Sequence, residues 1–204
     1  MAVFLGIVLI FQSAPATAAA PPLTVPEALL AAALTCSPDV RNASREPVLL
    51  VPGTTLTPQV GFSWNYERVF AATGQPYCAV TLPGNAMADI QTAGEYVVYA
   101  LRSMHQQSQR KAEVVGFSQG GMVPRWALKF WPDTRAMVDD LISLDASNHG
   151  TLDAYPVCAL GCAPAFFQQQ TGSHFLAALN AGAETYAGIS YTQIYTTTID
   201  EIVV

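Results

Sequence analysis

The sequence predicts an α/β fold, a mostly parallel sheet with helices on both faces. Three observations carry that reading. Residues 47–53, 114–115 and 141–144 are short apolar runs bounded by turns or polar residues, the pattern of strands buried on both faces. Between them, apolar side chains recur at helical spacing, as in Ile90, Ala93, Val97, Leu101 and Met104. Strands alternating with helices build parallel sheets, which hold their ligands beyond the carboxyl ends of the strands.

Taken in order, residues 1–20 read as an export signal. Residues 3–11 are almost wholly apolar, and small side chains follow at Ala14, Ala16, Ala18, Ala19 and Ala20. Ala16-Thr17-Ala18 offers the small-x-small pattern that a signal peptidase recognises. An apolar run this short cannot span a bilayer. The absence of Lys or Arg ahead of it departs from the usual signal. Residues 21–204 form the mature domain, expected outside the cell and not stably inserted in a membrane. Pro21-Pro22 makes a stiff exit, and residues 26–34 suggest a short helix. The run 47–53 is the first strand. Residues 89–104 form a helix that the polar stretch 106–111 ends. Val114 and Val115 make a second strand, and Gly116 begins a turn. Met122, Val123, Trp126, Ala127 and Phe130 follow at helical spacing up to Trp131-Pro132. Residues 141–144 are a third strand, and the β-branched and aromatic stretch 193–198 a fourth. Residues 152–167 are apolar and carry two prolines, which suits a pocket wall or a short lid.

Composition narrows the function. With 51% hydrophobic and 12% charged residues in 204, the chain can bury a core, so disorder is excluded. Net charge is -6 with nine Lys and Arg and no basic cluster, which excludes a nucleic-acid partner. The same balance disfavours docking on anionic lipid and suits a neutral, apolar substrate. Cys36, Cys78, Cys158 and Cys162 agree with an oxidising compartment. Four thiols allow three pairings, among which the sequence does not choose. No histidine falls at finger spacing from them, so no zinc site is expected.

The strongest motif is Gly116-Phe117-Ser118-Gln119-Gly120, with Gly121 after it. A serine between glycines, after a buried strand and before a helix, is a nucleophile elbow. Its hydroxyl stands clear at the strand end, above the positive end of the next helix. The turn Pro52-Gly53-Thr54-Thr55 after the first strand can aim Thr54 at a developing oxyanion, with the backbone N–H of Gln119 as partner. Downstream, Asp200 or its neighbour Glu201 lies where an acid would fix the tautomer of a histidine base. The base itself is out of order. His105, His149 and His174 all precede Asp200, whereas in such triads the histidine follows the acid. His149 is the one of the three after a strand; a loop or pocket-wall role suits it better. The base is therefore expected beyond residue 204.

These motifs resemble the Candida antarctica lipase B-like secreted lipases. The resemblance runs from about Pro26 to Val204 through Leu34-Thr35-Cys36, Val51-Pro52-Gly53-Thr54, Tyr77-Cys78, Gly94-Glu95-Tyr96, Ser118-Gln119-Gly120-Gly121, Gln169-Gln170-Thr171-Gly172-Ser173 and Asp200-Glu201-Ile202-Val203. It implies an α/β-hydrolase fold whose last strand and closing helix lie beyond Val204. It also implies a Cys36–Cys78 disulfide, Ser118 as nucleophile, Asp200 as acid, and Thr54 with Gln119 as oxyanion hole. The activity implied is hydrolysis of triacylglycerols and other apolar acyl esters, a carboxylic ester hydrolase working without metal or cofactor. A second bridge, Cys158–Cys162, would stiffen the pocket wall. The alternative is a relative that binds acyl lipids and has lost the base.

Overall fold

The computed structural model describes residues 20–196. Helix α1 (Glu27–Ala32) leads into strand β1 (Leu34–Cys36), and β2 (Val48–Val51) follows after a loop. Helices α2 (Pro58–Gly61) and α3 (Tyr66–Thr73) precede β3 (Tyr77–Val80). The middle of the chain is α4 (Ile90–Ser108), β4 (Ala112–Phe117), α5 (Gln119–Phe130) and β5 (Val138–Leu144). Three short helices come next, α6 (Ala154–Cys158), α7 (Pro164–Gln169) and α8 (His174–Asn180), and then β6 (Ser190–Ile194). The sheet order is β1-β3-β2-β4-β5-β6. β1 runs antiparallel to β3, and every other pairing is parallel.

The apolar run of β2 is buried at all four positions because both faces of the sheet are covered. Leu49 and Val51 belong to the larger core with Val80, Val97, Leu101, Val114 and Met122, which α4 and α5 complete. Val48 and Leu50 face the other way and pack with Phe62, Ala79 and Val115, with Tyr66 and Phe70 of α3 around them. Burying each such side chain contributes about 1.5–3 kcal/mol, so this central strand fixes the register of its neighbours.

Local chemistry sets the ends of α4. The Asp89 carboxylate accepts from Thr92 N at 2.9 Å as an N-cap, and Gln109 stops the helix in the left-handed region with φ 54. The helix therefore runs past Met104, through polar residues that tolerate helix as well as turn. Glu95, buried in α4, accepts from Thr24 N at 2.5 Å, Thr24 Oγ1 at 2.6 Å and Val25 N at 2.8 Å. That carboxylate ties the start of the described chain to the core.

Three expectations shift. The helix of residues 26–34 is α1 alone, because Leu34 pairs with Val80 and so belongs to β1. β1 and β3 are strands that no periodicity announced. The strand expected over 193–198 is β6, whose pairing with β5 runs from Asp140 opposite Ser190 to Leu144 opposite Ile194. Tyr195 and Thr196 lie past its end, and residues 197–198 lie outside the described residues. The signal reading of residues 1–20 falls outside them except for Ala20. No described helix is long and apolar enough to cross a membrane.

Candidate active site

β4 is the fourth of six strands in spatial order, so its carboxyl end emerges near the middle of the sheet. Ser118 follows it at once, with φ 53 and ψ -124. A positive φ is uncommon for a residue with a side chain and stores about 1–3 kcal/mol of strain. The surroundings hold it there. Ser118 N donates to Leu144 O at 2.8 Å, and Gly121 N donates to Ser118 O at 2.9 Å. Two flanking glycines make the turn possible. A Cβ on Gly116 would stand 2.1 Å from Gly120 O, and one on Gly120 would stand 2.1 Å from Val51 O. No side chain fits at either position, so the backbone crosses β2 closely and lifts the serine into a cavity.

That cavity measures about 300 Å³ and is lined by Thr54, Phe117, Ser118, Val157, Phe166 and Gln169 among others. Its apolar wall comes from α6 and α7, the segment expected to form a pocket wall or lid. Cys158–Cys162 bridges the end of α6 to the approach to α7, and Cys36–Cys78 joins two residues directly opposite each other in β1 and β3. α7 is fastened to the start of α4. The Gln168 side chain accepts from Ile90 N at 2.7 Å and donates to Asp89 Oδ2 at 2.7 Å.

The polar wall is a three-residue network. Thr54 Oγ1 donates to Gln119 Oε1 at 2.7 Å. Gln169 Nε2 donates to Thr54 Oγ1 at 2.9 Å, to Ala165 O at 3.1 Å and, at longer range, to Gln119 Oε1 at 3.4 Å. Gln119 is fully buried, and its Nε2 has no hydrogen-bond partner among the described residues. Ser118, Thr54 and Gln119 thus come together, although Thr54 is 64 positions from the serine along the chain. Gln169 completes the group from α7. It lies within the Gln169-Gln170-Thr171-Gly172-Ser173 match, but nothing in that local pattern marks its amide as part of the site.

The remaining candidates are elsewhere. Asp200 and Glu201 lie outside the described residues. His105 sits near the end of α4, its Nδ1 2.8 Å from Arg110 O. His174 is the first residue of α8 and exposed. His149 is exposed on the loop after β5, 3.3 Å from Asn180 Nδ2 and 3.8 Å from Glu184 Oε2. It lines a separate hollow of about 620 Å³ with Arg125, Glu184 and Tyr191. There the buried Arg125 donates to Asn148 Oδ1, Asn180 Oδ1 and Glu184 Oε2. Burial lowers the pKa of its guanidinium, and Glu184 opposes that shift. Another hollow of about 580 Å³ flanks β1 and α3. Both exceed the Ser118 cavity in size, but neither includes a strained nucleophile, so the smaller cavity is the candidate site. Among the described residues, no group of three His, Cys, Asp or Glu is placed to hold a metal ion.

The chain is 37% identical over 186 residues to lipase B of Pseudozyma antarctica, covering 90% of this chain and 54% of that protein. The crystal structure of Aspergillus fumigatus lipase B matches with a TM-score of 0.83 and 32% identity, over 92% of this chain and 46% of that one. The chain belongs to the lipase B-like α/β-hydrolases. The mature form of the Bacillus licheniformis lipase BlEst2, at 20% identity, shares the fold of this lipase B-like chain, with a TM-score of 0.64 over 78% of this chain and 70% of that one. No protein-family model matches. The chain spans about half the length of the two lipase B proteins.

Proposed function

We propose that the protein is a secreted serine esterase of the lipase type, acting on apolar acyl esters such as triacylglycerols. The observation that carries this reading is Ser118, held in a strained turn at the mouth of an apolar cavity beside Thr54 and the amino end of α5. In this account Ser118 Oγ attacks the ester carbonyl carbon and its proton passes to a histidine base, which Asp200 orients. The tetrahedral oxyanion is held by the backbone N–H groups of Thr54 and Gln119 and by the Thr54 hydroxyl. Collapse expels the alcohol, which takes the proton from the histidine and leaves an acyl group on Ser118. Water then attacks the acyl-enzyme by the same steps in reverse, releasing the carboxylic acid. Phe117, Val157 and Phe166 suit an acyl chain. Leu152, Val157, Leu160 and Phe167, all exposed on or beside α6 and α7, suit an apolar substrate phase. Two disulfides favour an extracellular setting.

The test is made on the full-length protein. A fluorophosphonate probe is expected to label Ser118, with the adduct located by peptide mass. Ser118→Ala should abolish labelling and cut p-nitrophenyl ester hydrolysis at least a thousandfold, on the scale seen when a nucleophile is removed. Hydrolysis that survives Ser118→Ala would overturn the serine mechanism. Binding of a non-hydrolysable acyl ester without labelling or turnover would point to an acyl-lipid binder instead.

A further inference from the structure

The Thr54 hydroxyl has one proton, and in this structure it is directed at Gln119 Oε1. One of its lone pairs is taken by Gln169 Nε2. In this arrangement the hydroxyl has nothing to offer an oxyanion. Gln119, meanwhile, uses its oxygen and leaves both N–H bonds of a fully buried amide without a partner among the described residues. Buried amides are rarely left so. The two ends of a carboxamide have nearly the same shape and opposite hydrogen-bonding sense. Turning the Gln119 amide over about its terminal bond would place Nε2 where Oε1 now stands. Nε2 would then donate to Thr54 Oγ1, whose lone pairs would be filled by Gln119 and Gln169. The Thr54 proton would have only the cavity to point into, where Ser118 also stands. Gln169 cannot follow the turn, because its own Nε2 is also held on Ala165 O. The turn gives up the longer contact between Gln169 Nε2 and Gln119 Oε1, at 3.4 Å. It also carries Oε1 to the buried place where Nε2 now finds no partner among the described residues, so it gains nothing until an oxyanion takes the Thr54 proton.

We propose that the Gln119 side chain is a two-position switch that decides whether the Thr54 hydroxyl is spent on the protein or presented to the reacting carbonyl, with Gln169 as its fixed support. The inference rests on the esterase reading above and on Thr54 as an oxyanion donor. Gln119 acts here through its side chain as a positioning residue, a role separate from that of its backbone N–H. The resting arrangement satisfies Thr54 internally. The reactive arrangement is favoured only when negative charge develops on the substrate oxygen, so the donor strengthens in the transition state and not in the ground state.

Three single variants and one double variant of the full-length protein test this, each compared with the native protein by kcat and KM on a soluble p-nitrophenyl ester. Gln119→Glu supplies a carboxylate of the same shape that can only accept, locking the Thr54 proton away. Its kcat is expected to fall 10- to 1000-fold, the range for loss of one oxyanion donor, with KM changed less than threefold. Its deficit should narrow as pH is lowered, because a protonated carboxyl can donate to Thr54 Oγ1. Gln119→Leu removes the competing acceptor and should lose clearly less kcat than Gln119→Glu. Thr54→Val removes the hydroxyl and should match the Gln119→Glu loss, and the double variant should be no worse than either single one. Equal losses for Gln119→Leu and Gln119→Glu, or losses that multiply in the double variant, would overturn the switch. If Gln119→Glu fails to fold, Thr54→Val against Gln119→Leu still decides: the switch requires the first to lose more kcat. Activity that survives Ser118→Ala would sink the serine mechanism on which this inference rests, whatever these variants do. A native enzyme silenced by Ser118→Ala yet indifferent to Gln119→Glu would sink the switch alone.

Discussion

Ser118 has a backbone conformation that glycine adopts freely and serine does not. A serine kept at φ 53 is a local conflict between sequence and structure, and such conflicts gather at working sites. The conflict can be measured apart from any chemistry. Replacing Ser118 by glycine should relieve about 1–3 kcal/mol of strain, against about 0.5–1 kcal/mol of added chain entropy in the unfolded state. Ser118→Gly is therefore expected to be more stable than Ser118→Ala by about 1 kcal/mol in urea unfolding. Equal midpoints would mean that the turn is relaxed. Gly120 tests the same turn from the other side. With Val51 O only 2.1 Å from a built Cβ, Gly120→Ala must push the start of α5 away from the end of β2. Overpacking of this kind costs about 1–3 kcal/mol and here strikes backbone rather than a yielding side chain. The expected outcome is loss of at least about 3 kcal/mol of stability, or no soluble protein, whereas Gly61→Ala, whose built Cβ meets only Leu56 Cδ1 at 3.9 Å, should lose far less.

At the scale of the element, the two disulfides do different work. Cys36–Cys78 closes a segment of sequence separation 42 and clamps β1 to β3, whereas Cys158–Cys162 closes one of separation 4. Loop-closure entropy gives about 4 kcal/mol for the first and about 2 kcal/mol for the second. Replacing Cys36 and Cys78 by serine should therefore lower the thermal midpoint by more than the same change at Cys158 and Cys162. The second pair should register instead in KM for a long-chain ester, because it braces α6, which bears Val157 on the cavity wall. A larger midpoint loss at Cys158–Cys162 would contradict this division. The elements that were plain from the sequence are those that carry their own instructions. β2, α4, β4 and α5 each combine an apolar pattern with local punctuation, such as the Pro52-Gly53 turn or the Asp89 cap. β1 and β3 carry none. Three or four residues become strand because each lies against a neighbour, as Cys36 against Cys78, and no window on the chain contains that partner. β6 was misplaced for the same reason: its pairing with β5, rather than its β-branched composition, decides where it starts.

Across the whole molecule the site was legible only where chemistry is local. The elbow of residues 116–120 is a contiguous pattern, but Gln169 reaches Thr54 across 115 positions because α7 packs on the start of α4. Charge is distributed over the same architecture. The carboxyl ends of the strands carry the site, and the amino ends of β4 and β5 carry a cluster of carboxylates. Glu113 lies directly opposite Asp140 in the β4–β5 register, with Asp139 and Glu46 nearby. Lys111 offsets part of this by pairing with Asp139 at 2.9 Å. Desolvation first, and then Asp140, Glu46 and Asp139, raise the Glu113 pKa above its ordinary value of 4.5. The folded protein therefore binds that proton more tightly than the unfolded chain. Between the two pKa values the folded state carries the extra proton, so stability falls as pH rises through that window and stays lower above it. Glu113→Gln removes the penalty at neutral pH. Like charges facing across a sheet destabilise by about 0.2–1 kcal/mol, so the variant should gain up to about 1 kcal/mol at pH 7. Below the ordinary glutamate range both proteins are neutral at this position, and the gain should vanish. Urea unfolding of the two proteins at neutral and acid pH decides the matter, and a gain that persists unchanged in acid would show that packing, not charge, lies behind it.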